Sequence, residues 1–290
     1  MKLCRFDEDR LGVVVGDTIH DITNIQTEIR NGARYDMRGD AVIAALPEWR
    51  ERMETAAESA PTIRVSDVAL LPPIARPSKT MAAPVNYAAH VAEMKAQPHV
   101  TGEDKGPSRP PGIQNQGIFL KSNSAVVGPA EGVAIRFPDR RNDHEVEFVI
   151  VIGKQGSRIK KEDALDYIAG YTLGLDMTVR GVEDRSFRKS CDGYAPLGPW
   201  MVTADEIPDP NNVPFTVHLN GNLQQDAHTK DMIFDVQRLI EFASEFYTIY
   251  PGDVLFTGSP PGVSEVQPGD VMHCACDIIG EMDVTVRAAE

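Results

Sequence analysis

From residue 118 onward, hydrophobic and polar positions run mostly in the short alternating stretches that predict β-strands. In NDHEVEFVIVIGK, residues 142–154, Val146, Phe148, Ile150 and Ile152 fall on one face of such a strand. Glu145 and Glu147 fall together on the other, about 7 Å apart along the chain. GYTLGLDMTVR repeats the arrangement: Tyr171, Leu173, Leu175 and Met177 share one face, and Thr172, Gly174, Asp176 and Thr178 the other. That second face is small and polar, with room above it for a ligand. The Asn220-Gly221 pair in FTVHLNGNLQQ predicts a tight hairpin. YPGDVLFTG and QPGDVMHCACDIIGEMDVTV each open on a Pro-Gly-Asp turn and continue as strands. Helical spacing is confined to shorter stretches. Val236, Leu239, Ile240, Ala243 and Phe246 predict an amphipathic helix packed on the sheet, and EDALDYIAG predicts a short helix stopped by Gly170.

The N-terminal part reads as strand pieces in GVVVGDTIHDIT followed by a helix at about 40–58. The proline cluster in APTIRVSDVALLPPIARPSK predicts a linker, so the chain divides into a small α+β domain with its linker, 1–75, and a larger domain, 76–290. Residues 96–117 are rich in Pro, Gly and polar residues without periodicity, the composition of a functional loop or lid. The whole is mainly β with α+β elements. It lacks the alternating β-α-β order of a doubly wound parallel sheet.

A hydrophobic content of 42% and a charged content of 25% are those of an ordinary soluble globular protein. The formal charge of −14 argues against nucleic acid and anionic membranes as partners. A small anionic substrate needs only local cations. No apolar run approaches transmembrane length, and MKLCRFDEDR does not read as a signal peptide. The four cysteines, Cys4, Cys191, Cys274 and Cys276, form neither a disulfide framework nor a zinc pattern, which suits reduced thiols and a cytoplasmic location.

Three strand carboxylates, Glu145, Glu147 and Asp176, without thiolates or a paired histidine motif, suit a hard divalent cation such as Mg²⁺ or Mn²⁺. A solvated acidic strand edge is the competing reading. His90 and Glu93 stand at i and i+3 on one helical face, where a carboxylate can orient an imidazole as general base. Lys189 precedes a Gly/Pro-rich loop, and Thr257, Gly258 and Ser259 follow a strand with hydroxyl and N–H groups able to hold a carboxylate. Phosphate-binding loops, nucleophile elbows and dinucleotide fingerprints are not found.

Taken in order, NYAAHVAEM, DHEVEFVIVIGK, GYTLGLDMTVR, RKSCDGYAPLGPWMV and YPGDVLFTGSPPGV resemble the motifs of the fumarylacetoacetate hydrolase family over about residues 78–288. The resemblance implies a mixed β-roll or sandwich catalytic domain, a small N-terminal domain and a homodimer. It implies Glu145, Glu147 and Asp176 as ligands of one divalent cation, His90, Glu93 and Lys189 as catalytic groups, and Arg180 near the substrate. It also implies action on a small 2-oxo acid, foremost hydrolysis of a carbon–carbon bond in a 2,4-dioxo, acylpyruvate-like acid. Isomerisation, tautomerisation or decarboxylation of 2-hydroxymuconate-like or oxaloacetate-like acids is the alternative. Glu183 stands where many members have Gln, and Gly258-Ser259-Pro260 where many have Gly-Thr-Pro; both departures bear on which substrate fits.

Overall fold

Strand Val146–Ile152 is buried on both faces, which is why it reads as a continuous apolar run. Phe148, Ile150 and Ile152 pack in one cluster with Tyr171, Leu173, Phe215, Val217 and Met272. Val149 and Val151, on the face that carries Glu147, pack in a second cluster with Leu11, Val13, Ile43, Leu46 and Val254. The glutamates therefore enter a covered layer. Glu145 is 5% exposed and Glu147 1%, so the solvated acidic edge is excluded.

The computed structural model describes residues 1–32, 39–74, 76–90, 92 and 112–289. Glu93 and most of the expected lid, 96–111, lie outside them. Among the described residues a twelve-stranded sheet runs through Thr62–Arg64, Thr18–Asp21, Arg10–Val15, Lys2–Phe6, Ala195–Thr203, Ile168–Leu175, Val146–Ile152, Val254–Phe256, Thr80–Ala82 and Phe119–Lys121, with two short strands paired beside this path. Its central pairs are antiparallel, and Val254–Phe256 pairs with Thr80–Ala82 in parallel. A five-stranded sheet, Asn222–His228, Pro214–Leu219, Val271–Cys276, Gly280–Ala288 and Val133–Ile135, lies across the first core cluster. Helix Val236–Phe246 closes that cluster with Val236, Leu239, Ile240 and Ala243. Helices Thr23–Gly32 and Ala41–Ser59 cover the second, the latter started by Asp40, whose carboxylate accepts the N–H groups of Val42 at 2.9 Å and Ile43 at 3.1 Å. A three-stranded sheet, Thr178–Val179, Asn142–His144 and Ser264–Glu265, completes the described strands, so the fold is mainly β with a few helices.

The N-terminal strands join this layer directly, Lys2 opposite Val202 and Leu3 opposite Met201. The proline-rich stretch expected to be a linker also carries strands: Thr62–Arg64 pairs with Thr18–Asp21, and Leu70–Leu71 with Lys2–Phe6. Asn220 (φ 50°) and Gly221 (φ 81°) form the expected hairpin turn, both in the left-handed region that a type I′ turn requires.

Three local expectations fail for tertiary reasons. Residues Lys161–Tyr167 form a 3₁₀ helix, and Gly170 lies inside strand Ile168–Leu175 instead of ending a helix. It is glycine because a Cβ there would overlap the Val202 carbonyl oxygen of the next strand. Phe246 is 65% exposed, although it shares the periodicity of the buried helix positions. Gly174 leaves no room for a ligand either: a Cβ would sit 2.6 Å from Phe256 Cε1, so that ring fills the space. All four cysteines are free thiols. Among the described residues no helix is long and apolar enough to cross a membrane.

Candidate active site

The site forms where two neighbouring strands reach the same end of the large sheet. Val146 stands opposite Leu175 and Glu147 opposite Gly174, so Glu145 and Asp176 meet just beyond the pairing. The Asp176 N–H donates to the Glu145 carbonyl at 2.8 Å and fixes this junction. Glu145, Glu147 and Asp176 are all buried and offer carboxylate oxygens within 4.8 Å of one another. Period-two alternation accounts for the two glutamates; the third acid comes from the adjacent strand.

Cations surround this cluster. Lys189, at the C-terminal end of the one-turn helix Arg185–Arg188, donates from Nζ to Glu145 Oε2, Asp176 Oδ2 and Thr178 Oγ1, each at 2.6 Å. All three ammonium donors are thereby used. Lys121, at the end of strand Phe119–Lys121, pairs with Asp176 Oδ1 from the other side. Arg180 donates to Glu145 Oε1 at 3.0 Å and to Asp143 Oδ2 at 2.7 Å, and Arg141 holds the other Asp143 oxygen at 2.6 Å. Lys121 and Asp143 escaped the sequence reading. Asp143 had a usable signal, since it shares the period-two face of Glu145 and Glu147. Lys121 had none, because nothing local distinguishes a buried strand-end lysine from a surface one.

The two glutamates differ electrostatically because their neighbours differ. Burial alone would raise the Glu145 carboxyl, but the Lys189 and Arg180 charges outweigh it and hold it below the ordinary carboxylate range. Glu147 accepts the Gly258 N–H at 2.6 Å, but burial and the Asp176 charge push its carboxyl well above that range. Burial also depresses the Lys121 ammonium, against the opposing pull of Asp176. Lys121→Met is expected to cost about 3 kcal/mol, the scale for removing one member of a buried ion pair. Thermal denaturation should show a melting temperature lower by roughly 5 °C at this chain size.

His90 lies in a helical turn at 88–90, buried, and close enough to Glu145 for its charge to favour the carboxylate. The turn is anchored from before it. The Ala83 N–H donates to the Phe256 carbonyl at 3.0 Å, and Asn86 Nδ2 to the Thr257 carbonyl at 2.8 Å. Between them Val85 holds φ 48°, a left-handed conformation rare for a β-branched residue. Ala83, Pro84, Val85 and His90 form one wall of a cleft of about 200 Å³ whose floor is Glu145, Glu147 and Asp176. Arg180, Arg185, Arg188, Lys189 and Ser259 also line it.

The remaining sequence candidates separate. The Thr257 hydroxyl donates to the Phe148 carbonyl at 2.7 Å and so ties strands together. Gly258 holds Glu147, and its φ of 106° with a Cβ position 2.6 Å from Asn86 Cβ requires glycine. Ser259 reaches the cleft and accepts from Gln225 Nε2 at 3.1 Å. Glu183 is not on the cleft wall: its partly exposed carboxylate pairs with Arg140 at 2.8 Å. Glu93, expected to orient His90, lies outside the described residues.

This arrangement of strand carboxylates, buried lysines and a flanking histidine places the chain in a defined group of proteins. It belongs to the fumarylacetoacetate hydrolase family, whose C-terminal domain matches residues 79–287. Maleylpyruvate hydrolase of Aquipseudomonas alcaligenes is 46% identical over 99% of this chain and 100% of its own. The mitochondrial oxaloacetate tautomerase Fahd2a of Rattus norvegicus is 34% identical, covering 83% of this chain and 79% of its own. Among solved structures, maleylpyruvate hydrolase from Sphingobium sp. SYK-6, in complex with manganese(II) and pyruvate, superposes over 100% of both chains with a TM-score of 0.83 at 35% identity.

Proposed function

We propose that this chain is a divalent-metal-dependent hydrolase that cleaves a carbon–carbon bond of an acylpyruvate to a carboxylic acid and pyruvate. The observation that carries the reading is the buried convergence of Glu145, Glu147 and Asp176 on the floor of a cleft that His90 and Lys189 also line. The similarity to maleylpyruvate hydrolases over the full chain supports the same reaction class.

The donor set fits a hard cation. Three carboxylates converge, oxygen is the sole donor type, and the burial and Asp176 charge that raise Glu147 disfavour its ionised form in the way a divalent ion would offset. Glu145, Glu147 and Asp176 would hold Mg²⁺ or Mn²⁺, which supplies Lewis-acid polarisation of the pyruvoyl oxygens when bound. His90 takes the proton from a water whose oxygen adds to the acyl carbonyl carbon. The bond between that carbon and the pyruvoyl methylene breaks with its electron pair on the methylene, which then takes a proton to give pyruvate. Lys189 gives up one of its three acceptors to face the acyl oxygen as it gains charge. Arg180 keeps Glu145 ionised throughout. A cytoplasmic homodimer belongs to the same reading, supported by the four free thiols and the family resemblance.

The test is a spectrophotometric assay of acylpyruvates and oxaloacetate with Mg²⁺, Mn²⁺ or EDTA, with products separated by chromatography. Metal-dependent release of pyruvate and a free acid is expected. Carbon dioxide, or interconversion of oxaloacetate tautomers with no acylpyruvate cleavage, would overturn the hydrolase reading in favour of a tautomerase or decarboxylase.

A further inference from the structure

Beyond the carboxylate floor the cleft turns cationic. Arg180, Arg185 and Arg188 all line it. Arg180 is committed to Asp143 and Glu145. Arg185 donates from Nη2 to Gln116 Oε1 at 2.6 Å. Arg188 is different: its Nε donates to the Glu183 carbonyl at 2.8 Å and its Nη1 reaches the Val179 carbonyl at 3.5 Å. Among the described residues no acid forms an ion pair with it.

Arg188 is half-buried beside two other guanidinium groups, a setting that a bound anion would relieve. Burial first, and then the Arg180 and Arg185 charges, depress the Arg188 guanidinium from its ordinary value, against the opposing pull of the Glu145 and Glu183 charges. The backbone bonds hold its planar fork in place, and among the described residues no carboxylate takes up its remaining donors. An alkyl acyl arm would gain nothing from this wall, and an arm ending in a carboxylate would. The Glu183 charge offsets that of the wall only in part, because its carboxylate is turned to Arg140.

Resting on the acylpyruvate reading, we infer that Arg188, with Arg185 beside it, binds a second carboxylate at the far end of the substrate, so that dicarboxylic acylpyruvates are preferred to neutral ones. The one-turn helix Arg185–Arg188 then links two tasks, presenting Arg188 to the acyl arm and Lys189 to the metal-binding carboxylates. Selectivity for the arm and positioning of the reacting end are set by adjacent residues on one short element.

The test compares kcat/KM for maleylpyruvate and acetylpyruvate in the Mn²⁺-loaded wild type, Arg188→Met, Arg188→Lys and Arg185→Gln. The maleylpyruvate to acetylpyruvate ratio should fall by about 30-fold in Arg188→Met, the scale of one lost charge-assisted hydrogen-bond pair. The loss should lie in KM more than kcat, and Arg188→Lys should recover part of it. A ratio that stays within about 3-fold of wild type, below the worth of one such bond, overturns the inference even if both activities drop. Calorimetric titration with maleate and with acetate separates this site from the reaction reading. Should the wild type cleave neither acylpyruvate, tight maleate binding lost in Arg188→Met still supports the arginine site, and equal binding in both proteins overturns it.

Discussion

Glu147→Gln is expected to abolish hydrolysis and metal binding while leaving the fold intact. Glutamine keeps the shape of the side chain and an oxygen to accept the Gly258 N–H, so the local hydrogen bond survives. What disappears is one of three converging negative charges, and with it much of the affinity for a divalent cation. A fall in kcat/KM of at least ~10³ is expected, matching the several kcal/mol a Lewis acid contributes to such a transition state. Thermal shift provides the independent readout. At 100 times the dissociation constant, Mn²⁺ should stabilise the wild type by about 2.7 kcal/mol. That gain should be missing in the variant.

The metal-free variant should melt slightly above the metal-free wild type, and the sign follows from the carboxyl's environment. Burial and the Asp176 charge raise Glu147, so ionising it in the folded state costs stability as pH rises from the ordinary carboxylate range through the raised value. The amide has no such cost. A variant with full activity, or with an unchanged Mn²⁺ shift, would exclude Glu147 as a ligand.

His90→Ala should show the opposite separation, intact metal binding with hydrolysis reduced by about 10²–10⁴. His90 stands on the cleft wall, outside the carboxylate cluster, and loses only its role toward water. Mn²⁺ titration by electron paramagnetic resonance should therefore give wild-type affinity, and pyruvate release should collapse. The variant also tests the competing chemistry. If oxaloacetate tautomer interconversion were present in the wild type and survived in His90→Ala while cleavage stopped, the two activities would have different proton-transfer groups. If Mn²⁺ affinity fell together with cleavage, His90 would instead act by supporting Glu145.

Local rules carried the reading furthest wherever a residue's environment follows from its immediate neighbours. The Asn-Gly turn is one case, because positive φ at both positions is a property of two residues. The shared face of Glu145 and Glu147 is another, because side chains alternate in every strand. Gly170 marks the limit. A glycine after a polar, helix-like stretch reads as a stop signal, but the reason for it lies on a different strand, at the Val202 carbonyl. Gly174 reads as space for a ligand for the same cause: alternation says which way the missing side chain would point and not that Phe256 already occupies the place. Phe246 obeys helical periodicity and is exposed all the same, because periodicity names a face and not what packs against it.

The candidate site divides along the same line. The amino-acid sequence by itself determined the acids and their facing, the hairpins and the amphipathic helix, since each depends on spacing within a few residues. Only the tertiary structure decided what those acids meet. Lys121 reaches Asp176 across 55 positions of chain and Arg180 reaches Glu145 across 35. It also turned Thr257 into a strand tie, sent Glu183 outward to Arg140, and left Arg188 on the cleft wall with no ion pair among the described residues. The physical reason is that backbone geometry propagates direction along one strand. Charge pairing and burial, in contrast, depend on which strands the packed core brings side by side.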